Sequence, residues 1–88
     1  QATDDLERVV RAAYQGRVEM LWVARQAHRW GCYDPESDSV ELRATPNSGA
    51  EDLLDFAAVH TLLNDGTVHV VEPAQVPEEV EAAAIFRY

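Results

Sequence analysis

The sequence predicts a small α/β domain: a three-layer α/β/α sandwich around a mixed, mostly parallel sheet, with one inserted hairpin. Three observations carry this. Helical and strand periodicities alternate along the chain, which favours parallel pairing with helices on the sheet faces. The segment "VEMLWVA" at 18–24 is apolar on both alternating faces past Glu19, as in a strand covered by layers on both sides. The chain closes on "AAAIFRY", an apolar run at a position where a frayed polar end is the rule, so this segment is expected to dock in the core.

The elements follow in order. "TDDLERVVRAAYQG" offers Thr3 or Asp4 as a cap, sets Leu6, Val9, Val10, Ala13 and Tyr14 on one helical stripe, and closes at Gly16. On its far side Asp4 with Arg8 and Glu7 with Arg11 stand as acid-before-base pairs four apart, each worth about a few tenths of a kcal/mol. After the strand at 18–24, "AHRWGCYD", a turn over Asp34 to Asp38, and "SVELRA" read as a hairpin with one wet face. In it Trp30 and Cys32 alternate with Arg29, Gly31 and Tyr33, and Val40 and Leu42 with Glu41 and Arg43.

"TPNSGAEDLLDFAAVHTLLNDG" reads as a helix opened by a Ser48 and Glu51 capping box, with Gly66 in the left-handed position after Asn64 and Asp65. Apolar residues from Leu53 to Leu63 cover most of its circumference and leave Asp52, Asp55 and Asn64 for water. Such a helix is expected to be largely buried or covered by a neighbouring domain. "GTVHVVE" is a short strand, and "PAQVPEEVEA" is a proline-broken connection with room for one helical turn from Pro77. The last strand, "AAAIFRY", sets Ile85 on one face and Ala84 and Phe86 on the other, with Arg87 and Tyr88 at the rim.

The chain of 88 residues is one domain, and at this size about 60 to 65% of the unfolded surface can be buried. With 47% hydrophobic and 26% charged residues the composition is that of a folded globular chain. The net charge of −9 is uneven: residues 1–43 hold eight acids against six arginines, and residues 44–88 hold eight acids against Arg87 alone. Such a surface repels phosphate backbones, so broad nucleic-acid binding is not expected unless the arginines gather. The single cysteine, Cys32, excludes an internal disulfide and fits a reducing compartment, so the expected location is cytoplasmic. No apolar run approaches the roughly 20 residues that span a bilayer, and no membrane partner is expected. A start at Gln1 reads as a C-terminal domain cut from a longer protein, or as a processed chain.

No catalytic residue, cofactor or metal is predicted. His28, His60 and His69 fall on three elements, and no pair shows the spacing that sets two imidazoles on one helical face; His60 reads as a core-edge residue. His28 and Cys32, four apart on a strand, are about 13 Å apart at the backbone. Cys32 has no base beside it in sequence and reads as packing. The glycines Gly16, Gly31, Gly49 and Gly66 stand singly, at turns and caps, and form no phosphate loop. Arg29, Trp30, Tyr33 and Arg43 on the hairpin are the candidate partner-binding residues, because exposed aromatics beside arginines are hot-spot material; simple hairpin packing is the competing reading.

"RVVRAAYQGRVEMLWVA" is similar to the opening of the C-terminal domain of archaeal and eukaryotic peptide-chain release factors and of Pelota. "LLDFAAVHTLLNDGTVHVVEP" resembles that domain's second helix, glycine turn and next strand, and "AIFRY" its closing segment. Taken together, these segments most closely resemble the bacterial archaeo-eukaryotic release factor family. The resemblance implies an L7Ae-like α/β/α sandwich, a non-catalytic role at terminating or stalled ribosomes, and a ribosome or translational GTPase as partner of the full-length protein. Gly16, Ala84, Ile85, Arg87 and Tyr88 match its structural positions; the chain contains no Gly-Gly-Gln, so no hydrolytic residue carries over. Two other readings stand beside it. An L7Ae-like RNA-binding domain would gather Arg8, Arg11, Arg17, Arg25, Arg29 and Arg43 on one face. A small ligand-binding or enzymatic domain would hold His60 or His69 beside a carboxylate in a cleft.

Overall fold

The computed structural model describes residues 2–45, 49–72 and 81–87. The elements are β1 (Ala2–Thr3), α1 (Leu6–Tyr14), β2 (Val18–Ala24), β3 (Trp30–Asp34), β4 (Ser39–Arg43), β5 (Glu51–Asp52), α2 (Leu53–Leu63), β6 (Thr67–Val71) and β7 (Ala82–Phe86). One sheet has the order β1-β7-β2-β6 and a second the order β4-β3-β5. The chain is thus a small α/β domain with two helices and mixed sheets. The hairpin at β3 and β4 forms as expected, and its register sets Trp30 opposite Arg43 and Tyr33 opposite Val40.

The expected mostly parallel pairing needs correction. Among the described residues only β2 and β6 run parallel; β7 is antiparallel to β2 and to β1. The cause lies in the connection. A parallel return needs a crossover of about a dozen residues or more, whereas the stretch from 72 to 81 is shorter and brings β7 back beside β2 in the opposite sense. The strand at β1 and the two-residue β5, which pairs with β3, are too short to show a periodicity in sequence.

Both helices pack on one face of the four-stranded sheet. Val9, Ala12 and Ala13 of α1, Leu54 and Ala57 of α2, Val18 and Leu21 of β2, and Ala82, Ala84 and Phe86 of β7 make one buried cluster. The apolar C-terminal run is an interior strand with β1 on one side and β2 on the other, as the sequence predicts. Its alternation is strict: Ala82, Ala84 and Phe86 are buried toward the helices, while Ala83 and Ile85 lie half-buried on the other face with Met20 and Trp22.

Helix ends hold this core in place. The N-cap of α1 is Asp5, whose side chain accepts from Glu7 N–H, one residue beyond the expected caps; Thr3 Oγ1 accepts from Asp5 N–H instead. The N-cap of α2 is Asp52, not the expected Ser48 and Glu51 box: Glu51 is in β5, and Ser48 lies outside the described residues. Both C-termini close in the same doubly bonded motif. Gly16 N–H donates to Ala13 O and Arg17 N–H to Ala12 O; Asp65 N–H donates to Leu62 O and Gly66 N–H to Thr61 O. In the second motif Asp65, at φ +66°, takes the left-handed position expected for Gly66. Gly66 serves close approach, since a Cβ there would lie 2.6 Å from Thr61 Cγ2 and 2.7 Å from Val18 O. Arg87 fastens the chain end to this corner: its Nη2 donates to Val18 O and to Asn64 O, each at 3.1 Å, where the carbonyls ending α2 carry partial negative charge.

One defect is built into the core. Thr61 is 1% exposed, and among the described residues its Oγ1 has no hydrogen-bond partner. A buried hydroxyl without a partner costs about 1–3 kcal/mol, so the isosteric Thr61→Val is expected to stabilise the domain by about 1 kcal/mol. A lower midpoint in urea for Thr61→Val than for the parent would show that the hydroxyl is satisfied.

Candidate functional site

Helix α2 is apolar around most of its circumference, and packing against α1, β2, β6 and β3 uses one side of it. Leu53, Leu54, Ala57 and Thr61 are buried. Val59, Leu62 and Leu63, at helical spacing, form a stripe left in water at 44, 59 and 71% exposure. Beside α2 runs β6, the edge of its sheet, which pairs with β2 alone among the described residues and shows Val70 at 64% exposure. "TVHVV" therefore presents a row of backbone groups with no charged side chain to blunt it. A cavity of about 250 Å³ lies between the two elements, lined by Val23, Ala58, Val68 and Val70 with Asp52 and Asp55. The exposed carboxylates Asp55 and Asp65 flank these apolar positions in sequence, while Glu72, after Val71, is ion-paired with Arg25, which also lines the cavity. Periodicity could not locate this stripe, because a helix apolar over most of its circumference does not announce which side faces outward.

The hairpin residues divide. Trp30 and Arg43 are cross-strand neighbours on the outer face, and Trp30 stacks on His28 at 5.6 Å between ring centroids. Arg29 is paired with Glu81 at 2.8 Å and Arg43 with Glu41 at 2.7 Å. Tyr33 turns to the opposite face, toward the helices, where its ring meets Tyr14 at 5.0 Å and Phe56 at 5.7 Å. His60 completes this aromatic cluster, 4.3 Å from Phe56 and 5.3 Å from Tyr14, in agreement with its reading as a core-edge residue. The four rings tie α1, α2 and the hairpin together, a convergence that sequence spacing does not reveal.

Tyr33 O–H donates to Asp38 Oδ1 at 2.7 Å, and its pKa is pushed up to about 12 by desolvation, then by that hydrogen bond and the Asp38 charge. An unfolded tyrosine ionises near 10. The neutral phenol therefore contributes stability that is present below pH 10 and lost as pH rises through about 12. Tyrosinate absorbance is expected to show one tyrosine titrating last, near that value, and Tyr33→Phe is expected to remove this step. Titration of all the tyrosines together near pH 10 in the folded protein would contradict it.

The remaining titratable groups are distributed as follows. His28 Nδ1 lies 2.8 Å from Asp52 Oδ2, a contact between residues too far apart in sequence to be foreseen. His69 stacks on Trp22 at 5.5 Å. Among the described residues no three His, Cys, Asp or Glu side chains are placed to hold a metal ion, and no helix is long and apolar enough to cross a membrane. The six arginines of the first half do not gather on one face. Arg25, Arg29 and Arg43 are ion-paired with Glu72, Glu81 and Glu41, whereas Arg8, Arg11 and Arg17 share one cavity. The expected pairs of Asp4 with Arg8 and Glu7 with Arg11 do not form: the ion pairs among the described residues are those of Arg25, His28, Arg29 and Arg43. Comparison of the sequence with known protein families and with curated proteins finds no match.

Proposed function

We propose that this chain is a non-catalytic interaction domain of a release-factor-like protein that acts at terminating or stalled ribosomes. The observation that carries this reading is the α2 stripe of Val59, Leu62 and Leu63 beside the open edge of β6. A small domain that leaves three neighbouring aliphatic residues of one helix face in water is suited to bury them against a partner. The acids around them favour a partner with a basic rim. The finer architecture we propose is the L7Ae-like three-layer sandwich, whose third layer belongs on the sheet face where Met20, Trp22, Ala83 and Ile85 are half-buried. The pairing of Arg25, Arg29 and Arg43 with acids weighs against the RNA-binding alternative.

The test is capture of purified ribosomes and of translational GTPases by the immobilised domain, compared with Leu62→Asp/Leu63→Asp. Both side chains are already exposed, so the variant is expected to keep its fold and lose about tenfold or more in capture. Capture of neither component by the parent would end the translational reading. Capture lost on Trp30→Ala or Arg43→Ala, with the double variant unaffected, would move the surface to the hairpin.

A further inference from the structure

We propose that the cavity between the flank of α1, the β3–β4 turn and the end of β7 binds a small phosphate dianion, free or as a simple ester. The cavity measures about 200 Å³, and its lining includes Arg8, Arg11, Gln15, Arg17, Asp38 and Phe86. Three of the seven basic residues of an acidic chain thus meet in one depression. Arg8 and Arg11 make no hydrogen bond or ion pair with a described residue, although Asp4 and Glu7 stand four positions before them on the same helix. Arg17 is oriented: its Nη1 donates to Gln15 Oε1 at 3.2 Å. The guanidinium carbons of Arg8 and Arg17 lie 6.0 and 5.4 Å from the centroid of one Phe86 ring. Both guanidinium groups thus border one aromatic ring at the end of β7, which holds their charges at the same cavity.

The carboxylate in the lining is already committed. Asp38 Oδ1 accepts from Gln15 Nε2 at 3.1 Å and from Tyr33 O–H at 2.7 Å. Guanidinium groups match a tetrahedral oxyanion through paired N–H donors, which an aliphatic or neutral ligand could not use. Size and charge select a compact ligand over a polymer. A water molecule takes about 30 Å³ of liquid, so the cavity holds a phosphate and a short ester chain. A nucleic-acid strand would leave the cavity and meet the rest of a surface carrying net charge −9. The cavity shares no lining residue with the α2 stripe, so this inference is independent of the proposed docking role.

The test is a titration of the domain with inorganic phosphate and with glycerol 3-phosphate at constant ionic strength, followed by NMR of the arginine Nε–H groups. Saturable shifts are expected at Arg8, Arg11 and Arg17 and not at Arg25, Arg29 or Arg43. Arg8→Gln and Arg11→Gln, both with the circular dichroism of the parent, are each expected to weaken binding about tenfold or more; Arg25→Gln is expected to leave it unchanged. Tighter binding of glycerol 3-phosphate assigns the cavity to an ester, and equal or weaker binding assigns it to the free ion. Shifts that grow linearly and spread over all seven arginines would overturn the proposal. So would a single-stranded RNA oligonucleotide that binds through the same three arginines more tightly than either probe.

Discussion

Gly31→Ala is expected to destabilise the domain by about 3 kcal/mol, the high end of what an overpacked core position costs. Gly31 is mid-strand in β3, the centre of the small sheet, opposite Leu42 on one side and Glu51 on the other. A Cβ placed there would lie 2.3 Å from Glu41 O, 2.8 Å from Leu53 Cδ1 and 3.2 Å from Leu42 Cα. Two of these three are backbone atoms of the paired strand and cannot rotate away; the third belongs to a side chain that is 0% exposed at the start of α2. Relief therefore requires the hairpin to shift against the helix layer and the Tyr14, Tyr33, Phe56 and His60 rings to separate. Domains of this size have a stability of about 5 kcal/mol or somewhat more, so the variant should keep about 2 kcal/mol and leave a few per cent of the molecules unfolded. Urea denaturation measures the loss, and amide exchange locates it: protection should fall in β3 and β4 before β2. A midpoint equal to that of the parent would show that the hairpin is not seated on Leu53 as described.

That glycine also marks where sequence reasoning stops. The stripe of Leu6, Val9, Val10 and Ala13, the apolar run of β2 and the strict alternation of Ala82, Ala84 and Phe86 are local patterns, and each element forms at the predicted place. Gly31, read with the turn and cap glycines, owes its identity to Glu41 O and Leu53, a contact made by the fold and invisible to spacing. The same holds for the direction of β7, which depends on how far the connection from β6 can reach, and for the start of α2. There the S-x-x-E pattern competes with Asp52, and Asp52 prevails because it also meets the chain at 28–30. The four hairpin residues expected to bind a partner do not form one surface: Trp30 and Arg43 share the outer face, while Tyr33 packs in the aromatic cluster. The arginine cavity was hidden for a related reason. Helical spacing offered Arg8 and Arg11 acidic partners, and the fold instead sets both in one cavity with Arg17 and Phe86.

Asp52→Ala is expected to cost about 2–3 kcal/mol, the sum of a lost helix cap and of charge-assisted hydrogen bonds to a carboxylate. Asp52 Oδ1 accepts from Leu54 N–H at 3.1 Å and from Arg29 N–H at 3.2 Å, while Oδ2 faces His28 Nδ1 at 2.8 Å. Its backbone belongs to β5 opposite Trp30, and the next residue, Leu53, donates its N–H to Arg29 O at 2.7 Å. One side chain thus opens α2 and pins the segment leading into β3, so its removal frees two buried or half-buried elements together. A carboxylate that orients an imidazole is also the support a general base needs, and the two roles separate by substitution. If Asp52 serves structure, Asp52→Asn keeps one oxygen on the two backbone donors and should lose about half as much as Asp52→Ala. His28→Ala should then lose about 1 kcal/mol or less, because that ring is largely in water. Equal losses for His28→Ala and Asp52→Ala would show instead that the histidine contact dominates. In that case the pair of His28 and Asp52, not the α2 stripe, would be the place to look for chemistry.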